Sequence, residues 1–257
     1  MIILHNIDTN SSIHTDLLMD TRISQKCIME CDGVSLFHAS KDKNHYSTIA
    51  FIDITDKDQR KIVSEYLIHE LKDYIRNYKK VLIVGLGNRD STPDALGPMT
   101  LDKILVTRHL FSFGSVEDGY SEVSIFEPNV FGSTGIDSVS LIKKVVELVV
   151  PEIIIVIDSL CTSSIDRMNH TIQITNSGIS PGSGVFNDRG ELSKNTLGCD
   201  VIALGVPTVV DIRALIKRSI DNMIVTPKDI DSFIDNISFV IGDSINKVLH
   251  ESYISTK

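Results

Sequence analysis

VLIVGLGNRDSTPDALGP, from Val81 to Pro98, is the stretch that decides the fold of this 257-residue chain. It begins with an apolar, β-branched run, which is typical of a strand buried on both faces. The run breaks at Gly85-Leu-Gly87-Asn88, passes through a polar turn and meets Pro93-Asp94-Ala95-Leu96-Gly97 before a new amphipathic segment. A strand, a glycine turn and a helix start form the arrangement that α/β enzymes use to present a reactive group at the carboxyl end of a strand.

The rest of the chain alternates predicted strands and helices. Two further apolar runs, 151–158 and 201–207, predict buried strands, and a strand-rich segment covers 26–54. The hydrophobic pattern predicts helices over 56–77, 96–110, 138–149 and 210–221, and a final helix that begins at Thr226-Pro227. This order predicts an α/β fold with a mostly parallel central sheet flanked by helices and an N-terminal strand-rich elaboration. We expect a single domain over 1–257, with the elaboration in 17–57.

Composition excludes several function classes. The formal net charge of −9 argues against binding to nucleic acid or to anionic membranes, which select for basic faces. The four cysteines show no metal-binding spacing, so reduced thiols are expected. The chain has no secretory signal and no apolar run of the ~20 residues that a membrane helix needs. The sequence therefore predicts a soluble, cytoplasmic protein without a direct nucleic-acid or membrane partner.

Two aspartates follow the predicted strands. Asp94 lies past the first strand and Asp158 ends another. Parallel strands bring their carboxyl ends to one edge of the sheet, so both side chains can meet in one crevice. Two close carboxylates share a proton, so one can act as a base toward water while the other donates a proton. The same pair could bind a divalent metal, or each residue could simply cap the following helix.

Other motifs give weaker signals. Gly85-Leu-Gly87 lacks the third glycine of a dinucleotide fingerprint and has Asp90 in its place, which an anionic pyrophosphate would not tolerate. Ser183 is a conceivable nucleophile, but it does not lie in a GxSxG elbow. Arg108 and His109 suit either a helix-end cap or a substrate or subunit contact. Asn187 and Arg189 lie in a glycine-rich turn and could orient a substrate carbonyl or belong to a plain surface turn.

At these residues the chain resembles the germination proteases of endospore-forming bacteria, which are endopeptidases of small acid-soluble spore proteins. A further segment, HTDLLMD (14–20), resembles the region around the propeptide cleavage site of that family. The main matching segments are GLGNRDSTPDALGP (85–98), VTRHLF (106–111), STGIDS (133–138), IDSL (157–160), TIQITNSGISPGSGVFNDRGELSKNTLGCDVIALGVPTVVD (171–211) and VTPKDID (225–231).

The resemblance implies a fold like that of the hydrogenase-maturation peptidases, a homotetramer in the spore core and synthesis as a zymogen. It implies that Asp94 and Asp158 are the essential aspartates of an atypical aspartic mechanism without a cofactor, although a metal is not excluded. It further implies a propeptide over 1–16 that is cleaved between Asp16 and Leu17. The supporting or substrate-binding residues would be Asn88, Arg108, His109, Ser183, Asn187 and Arg189.

The sequence also departs from the family pattern. Arg89 stands where the family usually has an aromatic residue, and Ser180 stands where a histidine often precedes the PGSG motif. Neither departure removes an aspartate. Two alternatives to the aspartic peptidase stay open: a metal-dependent peptidase that uses the same carboxylates, and a non-catalytic homologue that acts as a binding module.

Overall fold

In the computed structural model of the protein, the described residues are 17, 25–75, 77–114, 116–181, 190–212, 223–251 and 253. The predicted propeptide, 1–16, lies outside these ranges. So do three of the predicted site residues, Ser183, Asn187 and Arg189, and most of the helix predicted over 210–221.

The described residues form one sheet of nine strands. The strands are β1 (Lys26–Cys31), β2 (Val34–Lys41), β3 (Asn44–Ala50), β4 (Lys80–Gly85), β5 (Glu122–Phe126), β6 (Ile153–Thr162), β7 (Thr171–Thr175), β8 (Asp200–Asp211) and β9 (Ile224–Val225).

The sheet consists of a parallel half and an antiparallel half. Its strand order is β1-β2-β3-β7-β8-β6-β4-β5, and β9 pairs with the end of β8. Strands β8, β6, β4 and β5 run parallel, whereas β1, β2, β3 and β7 pair antiparallel. The antiparallel pairing of β7 with β8 joins the two halves. The predicted α/β fold is confirmed, and the strand-rich N-terminal segment continues the same sheet.

Seven helices accompany these strands in the described part of the chain. They are α1 (Lys57–Ile75), α2 (Leu96–Leu101), α3 (Arg108–Ser112), α4 (Phe131–Thr134), α5 (Ser138–Val149), α6 (Lys194–Leu197) and α7 (Ile230–Leu249).

Alternate residues of the central strands feed two separate hydrophobic cores, as the period of two in a strand requires. Ile153, Ile155 and Ile157 of β6 point to the side that α1, α2 and α7 cover, which we call the α7 face. Ile154 and Val156 point to the opposite side, which α5 covers and which we call the α5 face. The apolar residues that recur at helical spacing along α7 are all buried on the α7 face: Ile230, Phe233, Ile234, Ile237, Val240, Ile241, Ile245 and Leu249.

The single helix predicted over 96–110 is wrong, because a connection separates α2 from α3. The side chain of Asn246 in α7 holds this connection by both of its amide atoms: Oδ1 accepts the N–H of Leu105 at 2.9 Å, and Nδ2 donates to the carbonyl of Lys103 at 2.8 Å. The N–H of Thr107 then donates to the carbonyl of Val123 at 3.2 Å. These tertiary hydrogen bonds take backbone groups that a continuous helix would need.

Two other boundaries also differ from the prediction. Strand β8 continues to Asp211, so the helix predicted from Val210 does not begin there. The final helix begins at Ile230 rather than at Thr226. The hydroxyl of Thr226 instead donates to the carbonyl of Thr208 at 2.9 Å, which keeps this segment beside β8.

The expectations about thiols and membranes can be compared with the described residues. None of the four cysteines, all of which lie among the described residues, forms a disulfide; Cys27 and Cys31 are exposed, and Cys161 is buried. Within the described ranges, no helix combines the length and the apolar character that crossing a bilayer requires.

The end of β4 and the start of α2 touch backbone to backbone. A Cβ placed on Gly85 would lie 2.6 Å from the carbonyl of Gly97, and a Cβ on Gly97 would lie 2.3 Å from the carbonyl oxygen of Leu86. These distances are below any real carbon contact, so only glycine allows the approach. The contact determines where the loop between β4 and α2 lies above the sheet.

We expect Gly97→Ala to lower the free energy of unfolding by roughly 3 kcal/mol, because backbone on both sides would have to shift. Urea unfolding followed by circular dichroism measures the change. The matched control is Gly132→Ala in α4, where a Cβ would meet nothing within 4 Å. That variant should stay within about 0.5 kcal/mol of the wild type or be slightly more stable. Equal stability of the two variants would contradict the contact.

Candidate active site

Asp158 lies inside β6 and not at its end, because β6 and β8 continue side by side to Thr162 and Val210. On its other side, however, β6 loses its partner at this position. The last residue of β4, Gly85, pairs with Ile157, and the N–H of Leu86 donates to the carbonyl of Ile157 at 2.8 Å. Asp158 is therefore the first residue beyond the point where β4 turns away, which opens the sheet next to its side chain.

Asp94 ends a single 3-10 turn, Thr92–Asp94, in the loop that follows β4. The turn closes on itself: the N–H of Asn88 donates to the carbonyl of Asp94 at 3.0 Å, and the N–H of Asp94 donates to the carbonyl of Ser91 at 2.8 Å. Gly87 has a φ of +114°, and a Cβ there would lie 1.9 Å from the carbonyl oxygen of Asp94. The glycine turn thus supports Asp94 directly, and the backbone N–H of Asn88 contacts Asp94 within the same turn.

A buried threonine of β8 ties this loop to the sheet. The register of β6 and β8 shifts between Leu160 and Cys161, which leaves Thr208 without a paired residue. The fully buried Thr208 hydroxyl donates to the carbonyl of Pro93 at 2.6 Å. A bulge of this kind re-aims one side chain out of the ladder. No local pattern of residues predicts this bulge, because the register of two strands far apart in the chain creates it.

Arg89 holds the other side of the loop. Its guanidinium contacts Asp102 after α2 at 2.7 Å and Glu127 after β5 at 2.7 Å, and it donates to the carbonyl of Pro98 at 3.2 Å. The hydrogen bonds to Glu127 and Asp102 raise the pKa of Arg89 above its usual value. The residue that departs from the family pattern therefore links three segments around the candidate site. No local pattern predicts this role, because Glu127 is far from Arg89 in the sequence and Asp102 lies beyond α2.

The two carboxyl groups have unusual proton affinities. Burial raises the pKa of Asp94 to about 6, and the N–H of Asn88 opposes the rise. Burial raises the pKa of Asp158 well above its ordinary value, the negative charge of Asp94 adds to the rise, and the N–H of Ser159 opposes it. The charge of one carboxylate is thus felt by the other. A buried pair of this kind carries one proton between its members near neutral pH.

This arrangement can carry out general acid and base chemistry. Asp94 is the more exposed carboxyl group, so it is the better placed of the two to accept a proton from water. Asp158 is only 7% exposed, so burial favours its protonated form and it can donate a proton. Pairs of carboxyl groups with separated proton affinities are found where hydrolases activate water.

The remaining predicted site residues differ in their placement. Arg108 donates to the carbonyl of Val149 at 2.9 Å and lies 3.5 Å from Glu122, which pairs with the first residue of β4. That end of the parallel strands is roughly 16 Å from the end that carries Asp158. His109, the exposed residue after Arg108 in α3, lies at that same end of the strands. The structure therefore does not bring Arg108 and His109 to the aspartates.

The glycine-rich turn that contains Ser183, Asn187 and Arg189 lies outside the described residues. Its two ends are described: Ile179 and Leu192 form an antiparallel bridge and are buried in the core of the α5 face.

Leu17, one of the two residues predicted to flank the propeptide cleavage site, packs against the core of the α5 face. Its N–H donates to Oε1 of Gln173 at 2.9 Å, although 156 residues separate the two. Asp16, the other predicted residue, is not among the described residues. Gln173 was not singled out by the sequence, because a lone glutamine in a short strand carries no pattern.

A second polar cluster surrounds Glu70 on α1. This carboxylate is 3% exposed and is bonded to His38 at 2.9 Å, Ser47 at 2.5 Å and His69 at 3.1 Å. The cluster lies beside a cavity of about 950 Å³ on the antiparallel half of the sheet. Both carboxylate oxygens of Glu70 have hydrogen-bond partners. In the aspartate pair, by contrast, the buried Asp158 faces the negative charge of Asp94. Among the described residues, no group of three or more His, Cys, Asp or Glu side chains is placed to hold a metal ion.

The family model that matches this chain and its relatives from Geobacillus and Bacillus carry the same description, germination protease. A family model described as germination protease matches residues 10–224. The germination protease of Geobacillus sp. (strain WCH70) is 44% identical over 211 residues, which are 75% of this chain and 57% of that protein. The protein of the same name from Bacillus subtilis (strain 168) is 34% identical over 293 aligned positions, covering 83% of this chain and 80% of that protein.

Coverage of these relatives varies. The germination protease of Priestia megaterium (strain ATCC 12872 / QMB1551) is 46% identical over 190 residues, 70% of this chain but 51% of that protein. The chain thus spans about half the length of the Geobacillus and Priestia relatives that it matches. Among solved structures, the [NiFe] hydrogenase maturation protease HycI from Thermococcus kodakarensis KOD1 aligns with 69% of this chain and 99% of that chain. The TM-score of 0.40 and the identity of 13% are too low to carry an argument.

The raised pKa of Asp158 makes a prediction about stability. The folded state retains a proton that the unfolded chain releases above its ordinary pKa of about 4, so stability decreases as pH rises from about 4 toward neutrality. Asn cannot ionise and has the same shape. Asp158→Asn should therefore be more stable than wild type at pH 7, by roughly 1 to 3 kcal/mol, and the difference should vanish near pH 4. Urea unfolding at both pH values measures it.

Asp243→Asn is the matched control. Asp243 is as buried as Asp158, at 6% exposure, but it pairs with Lys247 at 2.6 Å. Its replacement should lower stability at pH 7, because it leaves Lys247 without the carboxylate. A loss of stability at pH 7 in both variants would show that the buried carboxyl group of Asp158 does not lower the free energy of unfolding.

Proposed function

The chain belongs to the germination protease family, and we propose that it is an endopeptidase whose catalytic pair is Asp94 and Asp158. One observation carries the proposal: a carboxyl group in the loop after β4 and a carboxyl group in β6 interact where β4 turns away from β6, and both have raised pKa values. The relatives named above are described as proteases, which agrees with hydrolysis as the reaction.

The roles of the two aspartates follow from their environments. Asp94, ionised above its pKa of about 6, takes a proton from water while the water oxygen attacks the carbonyl carbon of the peptide. Asp158 gives its proton to the carbonyl oxygen, which forms a neutral tetrahedral intermediate. Asp94 then passes the captured proton to the amide nitrogen, and Asp158 recovers its own as the C–N bond breaks. The products are a carboxyl group and an amine, and the pair again holds one proton.

The substrates, on this proposal, are the small acid-soluble spore proteins that the family resemblance implies. These proteins coat DNA, whereas the net charge of −9 makes direct DNA binding by the enzyme itself unfavourable. The same resemblance supports a homotetramer that works in the spore core, and no membrane partner is required. The name germination protease given to the relatives fits the release of amino acids during germination.

The proposed mechanism needs no metal or other cofactor. The aspartates supply both the acid and the base, and the proton balance closes without a Lewis acid. The metal-dependent alternative would require further ligands to join Asp94 and Asp158. The non-catalytic alternative would require this costly pair of buried acids to be kept without a reaction that uses it.

A cleavage assay on a purified small acid-soluble spore protein tests the pair. Asp94→Asn and Asp158→Asn should each lower kcat/KM by at least about 10³-fold, because each removes a proton transfer in the transition state. Glu147→Gln is the control, since it removes an exposed carboxylate of α5 that pairs with Lys144 and lies outside the loop that carries Asp94. Wild-type rates in both aspartate variants would refute the catalytic assignment, and no cleavage by the wild type would refute the peptidase.

Two further arms of that assay separate the mechanisms. After exhaustive chelation the wild type should keep its rate, and a loss restored by one divalent metal would favour the metal-dependent alternative. The rate should fall as pH drops through about 6, where Asp94 becomes protonated. It should fall again at higher pH, when the proton on Asp158 is lost.

We further propose that the chain is made as a zymogen that loses residues 1–16 by cleavage between Asp16 and Leu17. The placement of Leu17 on the α5 face, which is also the face of the Asp158 side chain, supports this. Intact-mass analysis of the protein during incubation should show the loss of a peptide of that length. The peptide should not appear in Asp158→Asn. Processing at the same rate in that variant would point to another protease.

A further inference from the structure

We propose that Gln173 is a positioning residue that holds the backbone of the peptide substrate on the α5 face, beside the catalytic pair. The proposal deepens the proposed peptidase function and rests on it. It starts from a buried side chain amide whose hydrogen bonds the fold itself does not complete.

Gln173 and Asp158 lie in one row across the sheet. The row runs from Thr48 in β3 through Gln173 in β7 and Gly205 in β8 to Asp158 in β6. Paired residues of neighbouring strands point to the same face, so the side chains of Gln173 and Asp158 share the α5 face. Two strand spacings separate their backbones, roughly 10 Å, which is the length of about three residues of extended peptide.

The strand β7 is polar on this face alone. Its residues Ile172 and Ile174 enter the core of the α7 face, whereas Thr171, Gln173 and Thr175 alternate with them. Gln173 is 1% exposed. A buried primary amide costs free energy unless its donor and acceptor are both bonded.

Among the described residues, the oxygen of the Gln173 amide has a hydrogen-bond partner and the nitrogen has none. Its Oε1 accepts the N–H of Leu17 at 2.9 Å. Its Nε2 is buried and has no hydrogen-bond partner among the described residues. A buried donor without a partner points to a ligand group that completes it.

The same molecule shows what a completed amide of this kind does. Asn246 accepts the N–H of Leu105 and donates to the carbonyl of Lys103, so both amide atoms hold one stretch of irregular backbone. Gln173 repeats the first contact with Leu17, and its donor remains for a carbonyl. An extended peptide presents N–H and C=O groups to the same side, so one glutamine can hold both.

Leu17 therefore marks the path of a peptide over the α5 face. Its side chain packs on the core of that face while Gln173 holds its N–H. The chain's own N-terminal segment thus makes the contact that a substrate backbone would make, with one hydrogen bond in place of two. A substrate whose carbonyl also accepts a hydrogen bond from Nε2 of Gln173 makes two such bonds and therefore binds more tightly than this segment.

Gln173→Met tests the proposal, since methionine keeps the length of the side chain and removes both hydrogen-bonding atoms. We expect kcat/KM on a small acid-soluble spore protein to fall about tenfold, the loss typical of one or two hydrogen bonds. The pH profile should not shift, because the aspartate pair is untouched. Thr171→Val is the matched control in the same strand and on the same face, and it should stay within about twofold of wild type.

Amide hydrogen exchange at Leu17 gives a readout that does not need turnover. It is measured in full-length Asp158→Asn, which keeps the N-terminal segment intact, with and without Gln173→Met. Exchange at Leu17 should rise about tenfold in the double variant. Thermal unfolding of the same proteins checks that the methionine has not loosened the fold.

The outcomes separate the possibilities. Faster exchange together with a lower kcat/KM supports the positioning role. Faster exchange with an unchanged or higher kcat/KM means that Gln173 only tethers the N-terminal segment, and unchanged exchange means that the contact is not made; either result overturns the proposal. If the wild type cleaves no spore protein, the peptidase function fails, and with it the substrate role. The exchange result still decides whether Gln173 holds a peptide backbone.

Discussion

The backbone contact between the end of β4 and the start of α2 is the constraint on which the candidate site depends. Gly85 and Gly97 lack the Cβ atoms that would separate these segments, so the loop between them lies close above the sheet. Gly87 then passes directly beneath the carbonyl of Asp94, and the Thr208 hydroxyl ties Pro93 down from β8. Each of these contacts involves backbone, which cannot rotate away. Asp94 is therefore held by the main chain, as a preorganised acid or base must be.

The site is held at an energetic cost that the rest of the fold offsets. Burial raises the pKa values of Asp94 and Asp158, and the charge of Asp94 adds to the rise at Asp158, so the folded protein holds a proton that the unfolded chain would release. The two cores on either side of the sheet bury most of the apolar side chains of the described residues and provide the compensating free energy. Strain at a site supported by a rigid surround is typical of enzymes.

If Gln173 positions the substrate as we propose, the antiparallel half of the sheet contributes to substrate binding as well as to size. Strand β7 joins this half to β8 and carries a polar, buried face that continues the row of Asp158. The same strand binds the backbone of Leu17. A parallel α/β core alone would end at β8 and would lack Gln173. On the proposal, strand β7 therefore extends the surface on which a substrate lies.

The sequence by itself determined the alternation of strands and helices and the buried face of the last helix, because periodicity and glycine or proline positions are local signals. It brought forward Asp94 and Asp158 as candidates through their places after predicted strands and through the family resemblance, and their catalytic roles are a proposal. Only the tertiary structure decided that Asp158 lies inside a strand, at the step where β4 leaves. It also decided that Asn246 divides one predicted helix into two, and that Arg89, Thr208 and Gln173 surround the site. The physical reason is that these roles depend on hydrogen bonds and strand registers between residues far apart in the chain, and no local pattern of residues encodes them.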